Sequence, residues 1–474
     1  MSANFLIPTP TLYARMMVER INYKRNLIGM KVLENSCGEG NILCEIVRAY
    51  IESGISLGYT KMEIADNIND DIYAIDINAD LVENCISRLN SILAEFEIPD
   101  IKWDHIIVGD YLSTTFHDVK FDFIFSNPPY ITYRDIPAVE RRLLRQTYKS
   151  CSTGRFDYYY AFVEKGIHDL KNETGKMIYL IPYSIFSNKF AENLRNQLLP
   201  YIFEVWDYSG IEIFSHVVIS SVIIALQKTL TNKVNIYSVK NNRNQIWDKN
   251  DLENKWCKKV QSILPRRFGD FFDVSNSIAT LANDVFILKN YHEDDGYIYL
   301  GKYKVEKGLV YECSSLKLER QYAKSGARAK IIFPYQILND QVSHIAENDF
   351  KKMYPYGYSY LKSMKQKLLQ RNFNDSIAWF EYGRGQALSS ILGDKIIMSM
   401  VISKKMNLVF ASDGVVPCAG YFIKCLPGSE LTLKDAKKIL ESQEFLDYVH
   451  EIGTPTAMGS YRISVNDVRE YRFS

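Results

Sequence analysis

The chain has 474 residues, of which 47% are hydrophobic and 24% charged, and this composition excludes a disordered protein and suits two domains with separate cores. A formal net charge of +1 excludes a uniformly basic nucleic-acid-binding protein, so contacts with nucleic acid would have to be local. Eight scattered cysteines without a C-x-x-C pair, no apolar run of membrane-spanning length and no signal peptide predict a reduced, cytoplasmic chain without a zinc site.

The first chemical signal along the chain is a short strand followed by a glycine turn. Residues 31–33 form an apolar strand, Gly38 and Gly40 make the turn, and an apolar helical pattern follows over residues 42–47. The turn differs from the phosphate-binding G-x-G-x-x-G pattern, because a leucine stands where the third glycine would be. The acidic Glu34 at the end of the strand favours a cationic ligand, such as an ammonium or a sulfonium group.

Two further strands end in acidic residues, at the spacing of successive β–α units. The first ends in Asp76, which is placed to accept hydrogen bonds from two ribose hydroxyls. The second ends in Asp110 and Tyr111, which suit the amino group and the ring of an adenine. The stretch 51–70 before the first of these strands is unusually long, and we expect an extended helix and a loop there.

The most informative segment is Phe121–Tyr130, with the sequence FDFIFSNPPY. A buried strand runs into two prolines, which fix a rigid, extended exit at the strand end where open α/β sheets place ligand chemistry. The Asn127 carboxamide and the carbonyls of the Asn-Pro peptide are acceptors for a planar amino group, and Tyr130 can stack on its flat face. The structural alternative is a proline turn that merely closes a core strand.

This order of motifs resembles the gamma class, or Taq type, of S-adenosylmethionine-dependent N6-adenine DNA methyltransferases, which have the class I methyltransferase fold. The resemblance is specific through about residue 230 and looser beyond it. It implies that S-adenosyl-L-methionine is the cofactor and that it contacts the N-terminal segment, the glycine turn and the strand ends. The implied cofactor-binding residues are Thr9 and Glu34 for the methionine part, Gly38 and Gly40 in the turn, Asp76 for the ribose, Asp110 and Tyr111 for the adenine, and Asn127.

The same resemblance implies a catalytic group and a mechanism. The implied catalytic residues are Asn127, Pro128, Pro129, Tyr130 and Phe190. The target adenine leaves the duplex, Tyr130 stacks on it, and Phe190 packs on its other side, with Phe186 as the rival for that position. The side-chain oxygen of Asn127 and the carbonyl of Pro128 accept the two N6 hydrogens, so that the nitrogen lone pair points at the methyl group.

The alternation of strands and helices predicts an α/β fold followed by a mixed α/β domain. Strand and helix patterns alternate to about residue 228, which predicts a doubly wound, mostly parallel sheet of seven strands. We therefore expect the catalytic domain in residues 1–235, with one more, transitional strand at 234–239. The alternation is lost beyond about residue 246, and residues 246–474 are expected to form a DNA target-recognition domain.

Double-stranded DNA is the expected partner, and two stretches supply candidate contacts. Residues 141–155 hold five basic residues and no acid, directly after the catalytic strand. The predicted phosphate contacts there are Arg141, Arg142, Arg145 and Lys149. Within residues 379–390, Arg384 is suited to reading guanine and Gln386 to reading adenine in the major groove. A solvated helix face and an ordinary glycine turn are the structural alternatives for these two stretches.

Three other functions fit part of the sequence. A release-factor glutamine methyltransferase also uses the NPPY motif, but its accessory domain precedes the catalytic domain, whereas here about half of the chain follows it. An RNA amino-methyltransferase differs only in substrate, and a non-catalytic DNA-binding protein would not need intact motifs. A cognate restriction endonuclease is a candidate partner, and no fused nuclease is expected, since the stretch before Thr9 could not hold one. No membrane or metal partner is expected.

Overall fold

The structure is a computed structural model that describes residues 7–117, 119–214, 219–240, 242–252, 256, 264–322, 328–371, 377–385, 387–456 and 459–474. Contacts between Cα atoms divide the chain into two units, residues 1–259 with 454–459 and residues 260–453 with 460–474. Within the described ranges, no helix is both long enough and apolar enough to span a membrane.

The first unit is built on one sheet with helices on both faces. Its strands are β1 (Val32–Glu34), β2 (Ile72–Asp76), β3 (Ile106–Val108), β4 (Phe123–Ser126), β5 (Lys176–Pro182), β6 (Ile202–Asp207), β7 (Ser221–Gln227), β8 (Lys233–Ser238) and β9 (Arg243–Asp248). Its helices are α1 (Thr11–Arg20), α2 (Asn41–Ser56), α3 (Lys61–Asp71), α4 (Ala79–Glu95), α5 (Ala138–Thr147), α6 (Tyr159–Asp169) and α7 (Glu192–Leu198). The strand order is β3-β2-β1-β4-β5-β7-β6-β8-β9, and β7 runs antiparallel to β5 and β6.

The order of the first seven strands confirms the predicted doubly wound class I methyltransferase fold. Two more strands extend this sheet, because β8 pairs in parallel with β6 and β9 forms an antiparallel pair with β8. The transitional strand expected at 234–239 corresponds to β8, whereas the mostly polar sequence of β9 does not predict a strand. The sheet of the first unit therefore has nine strands, the seven expected and a hairpin beyond them.

Burial on both faces explains the nearly continuous apolar runs of the central strands. All residues of β1 and β2 are buried, since helices cover both sides of a parallel sheet. Successive residues point to opposite faces, so Val32 packs in the core under α1–α4 and Leu33 in the core under α5–α7. The carboxyl ends of β1, β2, β3 and β4, which carry the predicted motifs, lie side by side along one edge.

The long stretch before β2 forms two helices rather than one extended helix and a loop. Helix α2 continues to Ser56, and Gly58 follows it with a φ of +83°, in the left-handed region. Thr60 then begins α3 with a capping box, in which its hydroxyl accepts the Glu63 amide and the Glu63 carboxylate accepts the Thr60 amide. The start of α3 is therefore determined by local hydrogen bonds of the capping box, which the pattern of apolar residues does not reveal.

The second unit contains short strands and helices around two cores. Its strands are β10 (Arg266–Arg267), β11 (Phe272–Asn276), β12 (Ile287–Leu288), β13 (His292–Asp294), β14 (Tyr297–Leu300), β15 (Tyr303–Glu306), β16 (Val310–Ser314), β17 (Ala329–Ile332), β18 (Tyr335–Leu338), β19 (Gln341–His344), β20 (Lys395–Met398), β21 (Val401–Ile402), β22 (Leu408–Ala411), β23 (Val416–Pro417), β24 (Tyr421–Cys425), β25 (Tyr461–Arg462) and β26 (Arg472–Phe473). Its helices are α8 (Asn283–Phe286), α9 (Leu316–Tyr322), α10 (Glu347–Met353), α11 (Pro355–Ser363), α12 (Lys365–Leu369), α13 (Leu433–Glu441), α14 (Gln443–Ile452) and α15 (Val465–Arg469). The two largest sheets have the orders β11-β24-β20-β22 and β12-β17-β16-β23.

Candidate functional site

A cavity of about 690 Å³ lies at the carboxyl ends of β1, β2, β3 and β4. The predicted residues that line it are Thr9, Glu34, Gly38, Asp76, Asp110, Tyr111, Asn127, Pro128, Pro129 and Tyr130. Gly40 and Phe190 are not among the lining residues. The sheet thus gathers into one cavity most of the residues that the sequence marks at separate strand ends, as parallel α/β sheets do at ligand sites.

The turn after β1 requires glycine at two positions, for partly different reasons. Gly38 and Gly40 have φ of +50° and +79°, in the left-handed region that other residues rarely adopt. At Gly40 a Cβ would also lie 2.4 Å from the Sγ of Cys85 on α4. Gly40 therefore shapes the turn by packing it against α4, which explains why it does not line the cavity.

Asp76 ends β2 with both carboxylate oxygens held by the backbone. The Gly38 amide donates to Oδ2 at 2.9 Å, and the Asn78 amide donates to Oδ1 at 3.0 Å. Because each carboxylate oxygen has two lone pairs, each of them can accept one more hydrogen bond. Asp76 is therefore a fixed double acceptor at the cavity wall, which is what two neighbouring hydroxyls would require.

Glu34, the last residue of β1, is 2% exposed, and its Oε2 accepts no hydrogen bond in the part of the chain that the structure describes. Burial raises the pKa of this carboxyl well above its usual range, and a hydrogen bond from the Leu43 amide opposes that rise. A buried acceptor without a donor is costly unless a ligand supplies one. Because a neighbouring positive charge favours the ionised carboxylate and opposes the effect of burial, Glu34 suits a cationic group inside the cavity.

Asp110 and Tyr111, which follow β3, supply a carboxylate beside an aromatic ring. The Leu112 amide donates to Asp110 Oδ1 at 3.0 Å, and the Ser113 hydroxyl donates to Oδ2 at 3.0 Å. The Tyr111 hydroxyl donates to Asp169 Oδ2 at 2.7 Å, and burial raises the pKa of Tyr111 well above its usual range. Tyr111 is therefore a neutral ring with a fixed orientation in the cavity wall.

The N-terminal segment orients the carboxamide of Asn127. Its Nδ2 donates to the Ile7 carbonyl at 2.8 Å, and the Ser36 hydroxyl donates to the Asn127 main-chain carbonyl at 3.2 Å. The Tyr130 hydroxyl donates to the Leu180 carbonyl at 2.9 Å, which fixes the ring of this residue as well. Because one N–H of the carboxamide is donated to Ile7, its orientation is fixed and its oxygen is available to a ligand.

Several lining residues lie outside the predicted motifs. Tyr158 precedes α6 and Phe162 lies in its first turn, while Ile77 and Leu81 follow β2. Tyr158 and Phe162 are four residues apart, and this spacing places side chains on one face of a helix. This spacing is the sequence signal that could have marked both aromatics as neighbours.

Phe190 and its rival Phe186 occupy different environments. Phe190 lies in the 3-10 helix Lys189–Ala191, is 38% exposed and covers Gly154, where a Cβ would lie 2.2 Å from its Cδ1. Phe186 is 5% exposed, and its ring stacks on Trp256 with the centroids 5.9 Å apart. Phe190 is thus the accessible aromatic of the two, and its role beside a flipped base stays a prediction.

The basic residues after the catalytic strand fall into two groups. Arg141, Arg142 and Arg145 lie on α5, and Lys149 begins the 3-10 helix that follows it. The guanidinium carbons of Arg141 and Arg145 lie 4.7 and 5.5 Å from the ring centroid of Tyr133. Arg142 is exposed and forms no side-chain hydrogen bond or ion pair with any residue that the structure describes.

In the second unit, the segment with the predicted base contacts is anchored by buried side chains. Arg384 is exposed, and its main chain forms an antiparallel bridge with Ala279. Two residues earlier, Tyr382 is fully buried and its hydroxyl donates to the Ile332 carbonyl at 2.7 Å. Gln386 lies outside the described residues. Arg384 therefore stands on a fixed segment, and its contact with a base stays a prediction.

The lining of the cavity fits the chemistry of S-adenosylmethionine. That molecule has a cationic methionine end, two ribose hydroxyls and an adenine ring with an amino group. Glu34 offers an unpartnered acceptor, Asp76 a double acceptor, and Asp110 with Tyr111 an acceptor beside a ring. Among the described residues there is no group of three or more His, Cys, Asp or Glu side chains placed to hold a metal ion.

Asp157, which lies two residues before α6, has a raised pKa, and from it we predict how the stability of the protein depends on pH. Its carboxylate accepts the Tyr133 amide, but burial outweighs this bond and raises the pKa from 3.8 to about 6. The folded state holds the Asp157 proton more tightly than the unfolded state does, so protonation of Asp157 stabilises the fold. This contribution to the free energy of unfolding is fully present below about pH 4 and is lost as the pH rises through about 6, by up to about 3 kcal/mol. We expect Asp157→Asn to remove this decline from the free energy of unfolding measured in urea at several pH values. If the variant keeps the decline, another group titrates.

Residues 41–214 match the family model described as Eco57I restriction-modification methylase. The chain is 24% identical over 359 residues to the type II restriction enzyme and methyltransferase RM.Eco57I of Escherichia coli, a match that covers 65% of this chain and 36% of that protein. It is 28% identical over 181 residues to the type II methyltransferase M.BstVI of Geobacillus stearothermophilus, covering 36% of this chain and 32% of that protein. The chain thus spans about a third of the length of these curated relatives.

Two solved structures have a similar fold over most of the chain. The type IIL restriction-modification enzyme MmeI, in complex with DNA, has a TM-score of 0.65 at 14% identity, covering 98% of this chain and 66% of that chain. A nuclease-deletion mutant of the type ISP restriction-modification enzyme LlaGI has a TM-score of 0.54 at 11% identity, and the match covers 94% of this chain and 43% of that chain. The family match confirms the predicted resemblance to restriction-modification methyltransferases over 41–214, and with it S-adenosylmethionine as the cofactor.

Proposed function

We propose that this chain is a site-specific DNA methyltransferase that transfers a methyl group from S-adenosylmethionine to the N6 atom of adenine. The observation that carries this proposal is the carboxamide of Asn127, whose nitrogen is bonded to Ile7 so that its oxygen is left for an incoming amino group. The relative RM.Eco57I is named as a type II restriction enzyme and methyltransferase, and M.BstVI as a type II methyltransferase, which supports DNA as the substrate and a role in restriction and modification.

The acceptors around the cavity would hold the cofactor. Thr9 and Glu34 would bind the methionine part, Asp76 the ribose hydroxyls, and Asp110 with Tyr111 the adenine. S-adenosylmethionine supplies, when bound, a methyl group on a positively charged sulfur that is a good leaving group. Because the leaving group is already activated, the residues of the chain need to position the acceptor amine rather than to act as acid or base.

The catalytic motif positions that amine. The Asn127 side-chain oxygen and the Pro128 carbonyl accept the two N6 hydrogens, which directs the nitrogen lone pair out of conjugation with the ring. Tyr130 stacks on one face of the adenine after it leaves the duplex, and Phe190 packs on the other side. The nitrogen gains one bond to the methyl carbon as the bond between sulfur and that carbon breaks, so that a neutral thioether would leave and one N6 proton would go to solvent.

The remaining parts of the chain would bind the DNA. We assign residues 1–235 as the catalytic domain and residues 246–474 as the target-recognition domain, with Arg384 and Gln386 at the base edges. Lysine and arginine side chains after the catalytic strand, Arg142 and Lys149 among them, would contact phosphates. A restriction endonuclease that cuts the same sequence is the proposed protein partner.

The first experiment is methyl transfer from labelled S-adenosylmethionine to unmethylated genomic DNA, followed by single-molecule sequencing of the product. We expect N6-methyladenine at one position of one recurrent sequence. Label in RNA or in a release factor, and none in DNA, would keep the fold and the cofactor and overturn the substrate. No transfer to any of these acceptors would favour a non-catalytic protein on this fold.

Substitutions at Tyr130 separate its ring from its hydroxyl. Tyr130→Phe loses one hydrogen bond to the Leu180 carbonyl, worth about 1 kcal/mol, and keeps the stacking surface. Tyr130→Ala loses stacking worth about 1–3 kcal/mol, so we expect a rise of about tenfold to hundredfold in the KM for DNA. Steady-state kinetics with both variants check this, and equal losses would show that the hydroxyl rather than the ring matters.

A further inference from the structure

Tyr133, three residues after the catalytic motif, forms hydrogen bonds through its amide, its carbonyl and its hydroxyl group. Its amide donates to the carboxylate of Asp157. Its carbonyl accepts from Arg141 Nη1 at 3.3 Å, and its hydroxyl accepts from Arg145 Nη2 at 2.9 Å. These four residues, Tyr133, Arg141, Arg145 and Asp157, are called the Tyr133 clamp below.

The ring of Tyr133 is as tightly held as its polar groups. The guanidinium carbons of Arg141 and Arg145 lie 4.7 and 5.5 Å from its centroid, within the range of cation–π attraction. Phe156 packs edge-on against the same ring, with the centroids 5.4 Å apart and the planes at 87°. Both guanidinium groups therefore hold the same ring in place.

The clamp connects the catalytic motif to the loop beneath Phe190. On one side, Ile131 lines the cavity, and its carbonyl accepts the Tyr158 amide at 2.9 Å. On the other side, Arg145 Nη2 also donates to the Gly154 carbonyl at 2.7 Å, and Gly154 lies directly under the Phe190 ring. One guanidinium therefore contacts both the segment that follows Tyr130 and the loop that supports Phe190.

We propose that Arg141 and Arg145 are positioning residues, which hold the segment after the catalytic motif through Tyr133, and that Arg142 between them is the phosphate contact of α5. This inference rests on the proposed function, since it assigns roles within the same site. An arginine that turned the Nη atom facing Tyr133 towards a phosphate would lose its hydrogen bond to that residue. Arg142, exposed and bonded to no residue that the structure describes, has no such contact to lose.

Two glutamine variants of neighbouring arginines separate positioning from phosphate binding. In Arg145→Gln, a positioning role predicts that kcat at saturating DNA falls on the order of tenfold to hundredfold, because misplacing a reacting group is costly. The slope of log Kd for DNA against log salt concentration should stay as in the wild type. In Arg142→Gln, we expect the affinity for DNA to fall while kcat stays as in the wild type. The slope of log Kd against log salt concentration should decrease by about 1, the amount expected for one lost phosphate contact. A reduced salt slope with unchanged kcat in Arg145→Gln would overturn the inference.

Tyr133→Phe tests the same bond without removing a charge. It keeps the ring between the arginines and loses the hydroxyl that accepts from Arg145. Because both substitutions break one shared bond, the double variant with Arg145→Gln should lose less activity than the sum of the single losses. Additive losses would show that Tyr133 and Arg145 act separately. This variant also serves if Arg145→Gln does not fold.

Amide hydrogen exchange keeps the inference testable apart from the substrate. We expect faster exchange over residues 130–136 in Arg145→Gln and in Tyr133→Phe, and exchange as in the wild type in Arg142→Gln. Unchanged exchange in all three variants would overturn the clamp whatever the substrate is. A wild-type protein that transfers no methyl group to DNA would instead overturn the proposed function, and the exchange result would still decide the clamp.

Discussion

Replacing Asn127 with alanine should reduce methyl transfer by at least about a hundredfold to a thousandfold, since it removes the oxygen that accepts an N6 hydrogen. The affinity for S-adenosylmethionine should stay close to that of the wild type, because Glu34, Asp76 and Asp110 keep their places in the cavity. Rapid-quench measurement of a single turnover and calorimetry of cofactor binding check the two parts separately. Equal loss of transfer and of cofactor binding would show that Asn127 supports the fold rather than the reacting amine.

Asn127→Asp is the matched control for this prediction. It keeps an acceptor oxygen and the size of the side chain, but it loses the Nδ2 donor that the Ile7 carbonyl accepts. The added negative charge would then face that carbonyl, so the side chain should rotate away from its present position. We expect transfer between the wild type and Asn127→Ala. Activity equal to the wild type would show that the bond to Ile7 does not orient the catalytic oxygen.

Replacing Gly420 with alanine should destabilise the second unit by about 3 kcal/mol or more. Gly420 has a φ of +85°, and a Cβ there would lie 2.1 Å from the main-chain oxygen of Met398. That oxygen cannot move easily, because Met398 is the last residue of β20 and pairs with Tyr421 of β24. Urea unfolding, monitored by hydrogen exchange of the amides in β20 and β24, measures the loss in the free energy of unfolding.

Gly428→Ala is the control that separates the two effects expected in Gly420→Ala, the backbone strain and the steric clash with Met398. Gly428 has a φ of +77° and no heavy atom within 4 Å of the added Cβ. It should therefore lose only the cost of a left-handed conformation, about 1–2 kcal/mol. A loss in Gly420→Ala no larger than in Gly428→Ala would mean that β20 shifts to accept the methyl group.

The sequence predicts the cavity well because its residues stand at strand ends. Apolar runs mark β1, β2 and β4, and a parallel sheet with helices on both faces must place their carboxyl ends together. Local chain order and sheet geometry are therefore enough to bring Glu34, Asp76 and Asn127 into one place. The proline pair adds a backbone constraint that can be read without any tertiary information.

The features that the sequence did not predict depend on contacts between distant segments. The charge pattern of α5 predicts a row of phosphate contacts, but two of its arginines bind Tyr133, which no periodicity reveals. Likewise, the hydrogen bond between Asn127 and Ile7 joins residues 120 positions apart in the sequence. The polar strand β9 forms because β8 offers it a partner, and pairing can override weak strand propensity.

The hairpin of β8 and β9 also determines what the outer edge of the sheet exposes to other molecules. Without it, β6 would be the last strand, and its sequence IFEVWD would present apolar side chains and open hydrogen-bonding groups. Such an edge is a template for association with a strand of another chain. With the hairpin in place, the edge strand is β9, whose sequence RNQIWD is mostly polar and charged at both ends. The hairpin thus protects the molecule from strand-to-strand aggregation.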